Sequence, residues 1–413
     1  MALLNSSLVL DHDALLRRRA IRVIPGGMYG HLRAEALPAG YPQFFARGQG
    51  CRLWDVNGNE YIDFMCSWGP VVLGHRHPAV EAAANRQMEQ GDCLNGPTEH
   101  MVELAERMVH LVAHADWAMF AKNGSDATTT CLTIARAATE RRKVLVATGS
   151  YHGSLPWCTP NPLGVTAEDR AHILQFNYND IASLDAAANA ASDDLAAILV
   201  SAFKHDYGCD QELPTKAFAQ RARTICDATG AALVLDDVRA GFRLHLAGSW
   251  ETIGVRPDLS AWSKAIANGY PLAAVMGNNR FRDAAGLIFV TGSFWCGGVA
   301  MAAALATLET IEKTGAIEHM ARMGQRFRDG LAEQAAAHGI SIKQTGPPQM
   351  PLLLFEDDPE FKKGSCFTTE ALKRGVYLHP KHNMFLSAAH TESDIDAALK
   401  ATDAAFAVVA KSS

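Results

Sequence analysis

Short, unbroken apolar runs alternate along the chain with longer stretches whose apolar residues recur at helical spacing. The runs at 116–122 (DWAMFAK), 143–148 (KVLVAT), 195–203 (LAAILVSAF), 232–237 (ALVLDD) and 271–277 (PLAAVMG) show no in-and-out alternation. They predict strands covered on both faces, as in a mainly parallel sheet. Between them, DATTTCLTIARAATERR and TKAFAQRARTICDATG carry a helical period, the second stopped by Gly230. Strand and helix in alternation predict an α/β body over 70–310. Beyond it, 311–413 mixes helical and strand patterns and predicts a smaller α+β domain. Residues 44–64 read as a hairpin turning at Asn57-Gly58. The N-terminal segment 1–69 is expected to contribute to the small domain and to the mouth of a pocket.

Composition narrows the partners. A net charge of −6 over 413 residues leaves no electrostatic footprint for nucleic acid or an anionic membrane, so a small molecule is expected. The nine cysteines include no C-x-x-C pair, and no His cluster has zinc spacing; reduced thiols in a cytoplasmic chain, with no metal, are expected. The opening MALLNSSLVLDHD lacks a leading positive charge and is interrupted by Asp11, so neither export nor an anchor is expected. No G-x-G-x-x-G follows a strand and no G-x-S-x-G elbow occurs, which argues against nicotinamide and hydrolase chemistry.

Three strand ends carry polar residues where open α/β sheets collect ligands. In AKNGSDATTT a strand runs through Asn123-Gly124-Ser125 into a helix, whose free N–H groups favour an anion such as phosphate, although Ser125 or Asp126 also serves as an ordinary cap. In LVLDDVRAGFR, Asp236 ends an apolar strand and needs a partner, with Arg239 or Arg243 the local alternatives. Lys264, in PDLSAWSKAIANGYPLAAV, is a lone cation among small and apolar residues. A phosphate cradle, an aspartate and a semi-buried lysine are together the parts a pyridoxal phosphate site requires.

Around these motifs the chain resembles the class III pyridoxal-phosphate-dependent aminotransferases, of fold type I, a group that includes glutamate-1-semialdehyde aminomutase. The resemblance runs from VIPGG at 23–27 to FLSAAHTESDID at 385–396. It implies that Lys264 bonds the cofactor aldehyde, that Asp236 pairs with the ring nitrogen, and that Asn123, Gly124 and Ser125 form the phosphate loop. It also implies that Tyr151, with His152 beside it, stacks on the ring, and that Val238 packs on the other face. Ser293 in TGSFWCGG, or the nearby Thr291, matches a hydroxyl that reaches the neighbouring subunit's phosphate, implying a homodimer with active sites at the interface. On the substrate side Arg33 matches a carboxylate contact, Trp68 an aromatic wall and Arg239 a second anion contact, while Lys381 and His382 are candidates to close the pocket. Details such as DDVRAGFR, TGSFW and HPKHNMFLSAAHT are most similar to amine:pyruvate and fumonisin-deaminating aminotransferases. A primary amine as donor and a pyruvate-like keto acid as acceptor follow from that likeness. HPKHNMFLSAAHT holds no acid before its serine, unlike the aminomutases; a mutase or racemase on the same scaffold, or a non-catalytic small-molecule-binding protein, are the rival readings.

Overall fold

The structure is a computed structural model that describes residues 11–412; the apolar run at 3–10 lies outside the described residues. Near the N-terminus, β1 (Phe45–Gln49), β2 (Arg52–Asp55) and β3 (Glu60–Asp63) pair antiparallel in sequence order. The expected turn at Asn57-Gly58 joins β2 to β3. The Asp55 carboxylate closes it by accepting the N–H groups of Asn57 and Asn59, each at 2.9 Å, and Gly58 takes the left-handed φ of 87° that a side chain would resist.

The large sheet contains β4 (Trp117–Ala121), β5 (Lys143–Ala147), β6 (Ile173–Phe176), β7 (Leu195–Ser201), β8 (Ala232–Asp236), β9 (Leu259–Trp262) and β10 (Ala273–Gly277). Their order is β4-β10-β9-β8-β7-β5-β6, parallel throughout except that β10 runs antiparallel to both neighbours. The α/β class and the mainly parallel sheet are therefore as the apolar runs predict. Alternate residues of β7 and β8 serve opposite layers. Ile198, Val200, Leu233 and Leu235 pack on Leu184 of helix Ile181–Ala191 and on Phe218 and Ile225 of helix Lys216–Thr229. Ala197, Leu199, Ala232 and Val234 pack on Ala127 and Ile134 of helix Gly124–Thr139.

Two strands, β6 and β9, have no counterpart among the five predicted runs. In β9 the apolar run is broken by Ser260, which is nonetheless fully buried: its hydroxyl oxygen meets Nε2 of His114 at 2.8 Å and Nε1 of Trp262 at 2.7 Å. That local polar pairing lets a serine occupy the centre of the sheet.

A smaller sheet links the two ends of the chain. After helix Ala316–Ala337 come the paired strands β11 (Ile342–Thr345) and β12 (Leu352–Phe355), and then β13 (Val376–Tyr377), which lies parallel beside β3. Among the described residues no helix is long and apolar enough to cross a membrane. Gly277 closes β10 against β4 and β9: a Cβ there would run into the Trp117 indole and stand 2.7 Å from Leu259 Cδ2. Gly277→Ala is expected to destabilise the protein by about 1–3 kcal/mol through overpacking, read as a lower thermal midpoint with an unchanged far-UV circular dichroism spectrum.

Candidate active site

Parallel pairing brings the polar strand ends to one edge. Asp236, last residue of β8, is in register with Ala261 of β9, so Ser263 and Lys264 leave the sheet beside it. At the same edge β4 runs through Asn123 into a helix, β5 leads to Tyr151 and His152, and β7 leads to His205.

Asp236 is buried, and both its oxygens are engaged: Oδ2 lies 2.7 Å from Nδ1 of His152, and Oδ1 accepts the N–H of Val238 at 3.1 Å. His152 is buried too, and its Nε2 finds no partner among the described residues. Asn123 caps the helix: its side chain accepts the N–H of Asp126 at 3.1 Å while Asp126 returns a carboxylate to the N–H of Asn123. This capping box leaves the N–H groups of Gly124 and Ser125 without a protein acceptor among the described residues. Gly124 must be small, because a Cβ would stand 2.8 Å from Cγ1 of Val238. Gly153, at φ 125°, lies so close that a Cβ would stand 2.9 Å from that of Ser125. The structure thus gathers Asp236, His152, Val238, Gly124 and Ser125 into one cradle.

Lys264 faces this cradle with a left-handed backbone, φ 48°, a conformation a non-glycine residue holds only when its surroundings impose it. Burial pushes its ammonium down to about 7, the Arg239 guanidinium adds to the shift, and Asp236 opposes it. Arg239 is itself brought to about 10 by burial, against the pull of Asp236. Its Nη1 donates to Oδ1 of Asn383 at 2.7 Å, whereas its buried Nε has no partner among the described residues. Tyr151 is 44 % exposed at the rim, its hydroxyl pushed up chiefly by burial.

The opposite wall comes from the chain ends. Cys66, Ser67 and Trp68 hold φ of 45°, 55° and 64° in succession. Two buried charges impose this turn: Asp63 accepts the N–H groups of Met65 and Cys66 at 2.8 and 2.9 Å, and Arg243 donates to the Gly69 carbonyl at 2.8 Å and to that of Leu386. Trp68 then meets His31, His379 and His382 with ring centroids 4.6, 5.6 and 4.9 Å apart. Arg33 is exposed, two residues beyond His31, and among the described residues no polar contact holds its guanidinium. Lys381 turns to the Phe361 ring, 4.5 Å away, so of the two residues suggested to close the pocket only His382 joins the Trp68 wall. Ser293 and Thr291 are exposed and take no part in the hydrogen bonding around Lys264.

Sequence reasoning passed over Gly153, Arg243 as a clamp, Asn383, His31, His379 and His205, the last with its pKa pushed well below the usual range by burial. Gly153, Arg243, Asn383 and His379 lie in SYHGS, LVLDDVRAGFR and HPKHN, beside residues that were noticed, and His31 stands two residues before Arg33; for His205 no local signal exists. The cradle fits pyridoxal phosphate: two unpaired N–H groups at a helix start suit its phosphate, an aspartate at a buried edge suits a cationic ring nitrogen, and an amine neutral near pH 7 suits its aldehyde.

A model of the aminotransferase class-III family matches residues 37–401. The chain is 52 % identical over 394 residues to an aminopentol aminotransferase of Sphingopyxis macrogoltabida, covering 95 % of this chain and 93 % of that protein. It is 32 % identical to a glutamate-1-semialdehyde 2,1-aminomutase of Desulforamulus reducens, covering 95 % and 97 %. The solved pyridoxal phosphate internal aldimine form of the FumI protein from Sphingopyxis sp. MTA144 superposes with a TM-score of 0.96 at 52 % identity, over 97 % of this chain and 96 % of that one. With its cradle and nearly all of its length in agreement, the chain belongs to the class III aminotransferases, with pyridoxal phosphate as cofactor.

Proposed function

We propose that the enzyme takes the amino group of a primary amine, of amino-alcohol, long-chain or β-amino-acid type, and passes it to pyruvate or a similar keto acid in a ping-pong cycle. The observation that carries this is the charge pattern around Lys264: of two buried guanidiniums Arg243 is spent on the carbonyls of Gly69 and Leu386, while Arg239 meets only the Asn383 amide among the described residues, beside a wall of Trp68 and imidazoles. A planar cation suits the carboxylate of a small keto acid, and an uncharged wall suits the uncharged body of the donor. The identity to an aminopentol aminotransferase supports an amino-alcohol donor. Arg33 is the second candidate for a carboxylate, at the open side.

When bound, pyridoxal phosphate supplies an aldehyde that condenses with amines and a ring that takes up the electron pair left when carbon loses a proton. In this assignment the N–H groups of Gly124 and Ser125, with Asn123 fixing the helix start, hold the phosphate, and Tyr151 and Val238 bracket the ring. Asp236, oriented by His152, keeps a proton on the ring nitrogen. Lys264 would bond the aldehyde at rest and, with its Nζ free, would serve as the base that moves the proton at the substrate carbon bearing nitrogen. Ser293 or Thr291 reaches the phosphate of a second subunit in a homodimer. Leu287, Phe289 and Phe294, 86, 93 and 65 % exposed on the same segment, support a covered surface there. The large cofactor-binding domain spans 70–310, flanked by 1–69 and 311–413, and the enzyme works in the cytoplasm.

Incubation with a panel of amines and pyruvate is expected to accumulate alanine; a mutase or racemase would leave pyruvate untouched, and a binding protein would convert nothing. Arg239→Met should raise KM for pyruvate about 10- to 100-fold, the scale of a lost charge-assisted contact. A third expectation concerns the cofactor-free protein. Lys264 releases its proton at about 7 when folded but near 10.5 when unfolded, so between these values the unfolded chain binds more protons and stability rises with pH. Denaturant titrations of Lys264→Met should lack that part of the rise.

A further inference from the structure

The turn that carries Lys264 is left-handed at both ends: Lys264 itself has φ 48°, and Asn268, which closes the short helical turn Lys264–Ala267, has φ 46°. Asparagine tolerates that backbone better than most residues, and Asn268-Gly269 reads as an ordinary turn. Its side chain does more. The amide is buried, and both of its ends engage a segment almost 200 residues away: Oδ1 accepts the N–H of Leu73 at 2.8 Å, and Nδ2 donates to the Gly74 carbonyl at 2.9 Å. Among the described residues these are the only hydrogen bonds between the lysine's turn and the segment 65–75.

That segment covers the lysine. Its front end is the strained turn bearing Trp68, where a Cβ on Gly69 would stand 3.4 Å from Cδ of Lys264 and 3.0 Å from Cε1 of Phe385. Arg243 fixes this end through the Gly69 carbonyl, and Asp63 fixes it through the N–H groups of Met65 and Cys66. The rear end is fixed at Leu73 and Gly74 by Asn268, and at His75, whose Nε2 meets Oδ2 of Asp63 at 2.8 Å and whose backbone exchanges two bonds with Gly50. Of these anchors only Asn268 belongs to the element that holds the lysine. A planar amide that meets a donor on one residue and an acceptor on the next allows no slippage, because a shift by one residue breaks both bonds. The burial that lowers the proton affinity of Lys264 is therefore shared between the lysine's own turn and a cover tied to it at this point.

We infer that Asn268 is a positioning residue for Lys264: by bonding Leu73 and Gly74 it holds segment 65–75 against the lysine stem and keeps water from the amine. This rests on Lys264 being the residue that bonds the cofactor, as proposed above. A left-handed backbone at 268 asks for no more than glycine, so the amide serves the cover and not the turn. Without it the Leu73 N–H and the Gly74 carbonyl, both on buried residues, lose their partners, and water that enters to satisfy them arrives beside the turn of the lysine.

The test is Asn268→Gly in the holoenzyme, which keeps the backbone and removes the amide. Hydrogen exchange in peptides covering 65–75 should quicken about tenfold, the scale of two lost hydrogen bonds, with peptides of β7 and β8 unmoved. Hydroxylamine should take the cofactor from Lys264 as its oxime faster by a similar factor, and kcat should fall while KM for pyruvate, which depends on Arg239, stays the same. Exchange and oxime rates equal to those of the wild type would overturn the inference, and so would quickening spread evenly over the large sheet, the mark of a general loss of stability. If the variant does not fold, the wild type still decides: a Leu73 N–H protected like the amides of β7 upholds the bridge, and one that exchanges like an exposed amide sinks it. Borohydride reduction of the wild type, followed by peptide mass analysis, keeps the two assignments apart. A cofactor fixed at another residue removes the role of Lys264, whereas one fixed at Lys264, with 65–75 unmoved in the variant, removes only that of Asn268.

Discussion

A carboxylate at the end of a strand buried on both faces must be paired, and Asp236 answers that requirement in a way that organises the whole edge of the sheet. Its two oxygens are taken by His152 and by the Val238 N–H, which fixes the loop after β8 and brings Val238 against Gly124. The negative charge is then the nearest counterweight to two buried cations, Lys264 and Arg239. Among the desolvated cations at this edge, Lys264, Arg239 and Arg243, the lysine is the group that gives up its proton, since a guanidinium holds its own far more tightly. Burial thus lowers both Lys264 and Arg239, and Asp236 offsets it only in part.

Much of the fold was legible because the central strands are covered on both sides. LAAILVS and ALVLD contain no polar residue before their ends, and nothing but a buried strand explains so short and so apolar a run between helical periods. β9 was not legible, because Ser260 interrupts it and is satisfied by His114, which lies 146 residues away in sequence. The short β6 likewise takes its identity from its parallel neighbour β5 more than from its own pattern.

The candidate site divides along the same line. Asp236, Lys264 and the Asn123–Ser125 loop stand at strand ends, where residue type against an apolar background is informative, and the cradle unites them. The wall opposite comes from loops more than 300 residues apart, and no spacing predicts that Trp68 meets His379 and His382.

Arg243 has a consequence for how the molecule is made. Its guanidinium joins the carbonyl of Gly69 to that of Leu386, so the strained turn bearing Trp68 is secured by residues near both ends of the chain. On the ribosome the large sheet has all its strands once Gly277 has emerged, but the clamp lacks its last acceptor until Leu386 does. The wall that faces Lys264 is consequently secured only after Leu386, well behind the last strand of the large sheet in chain order.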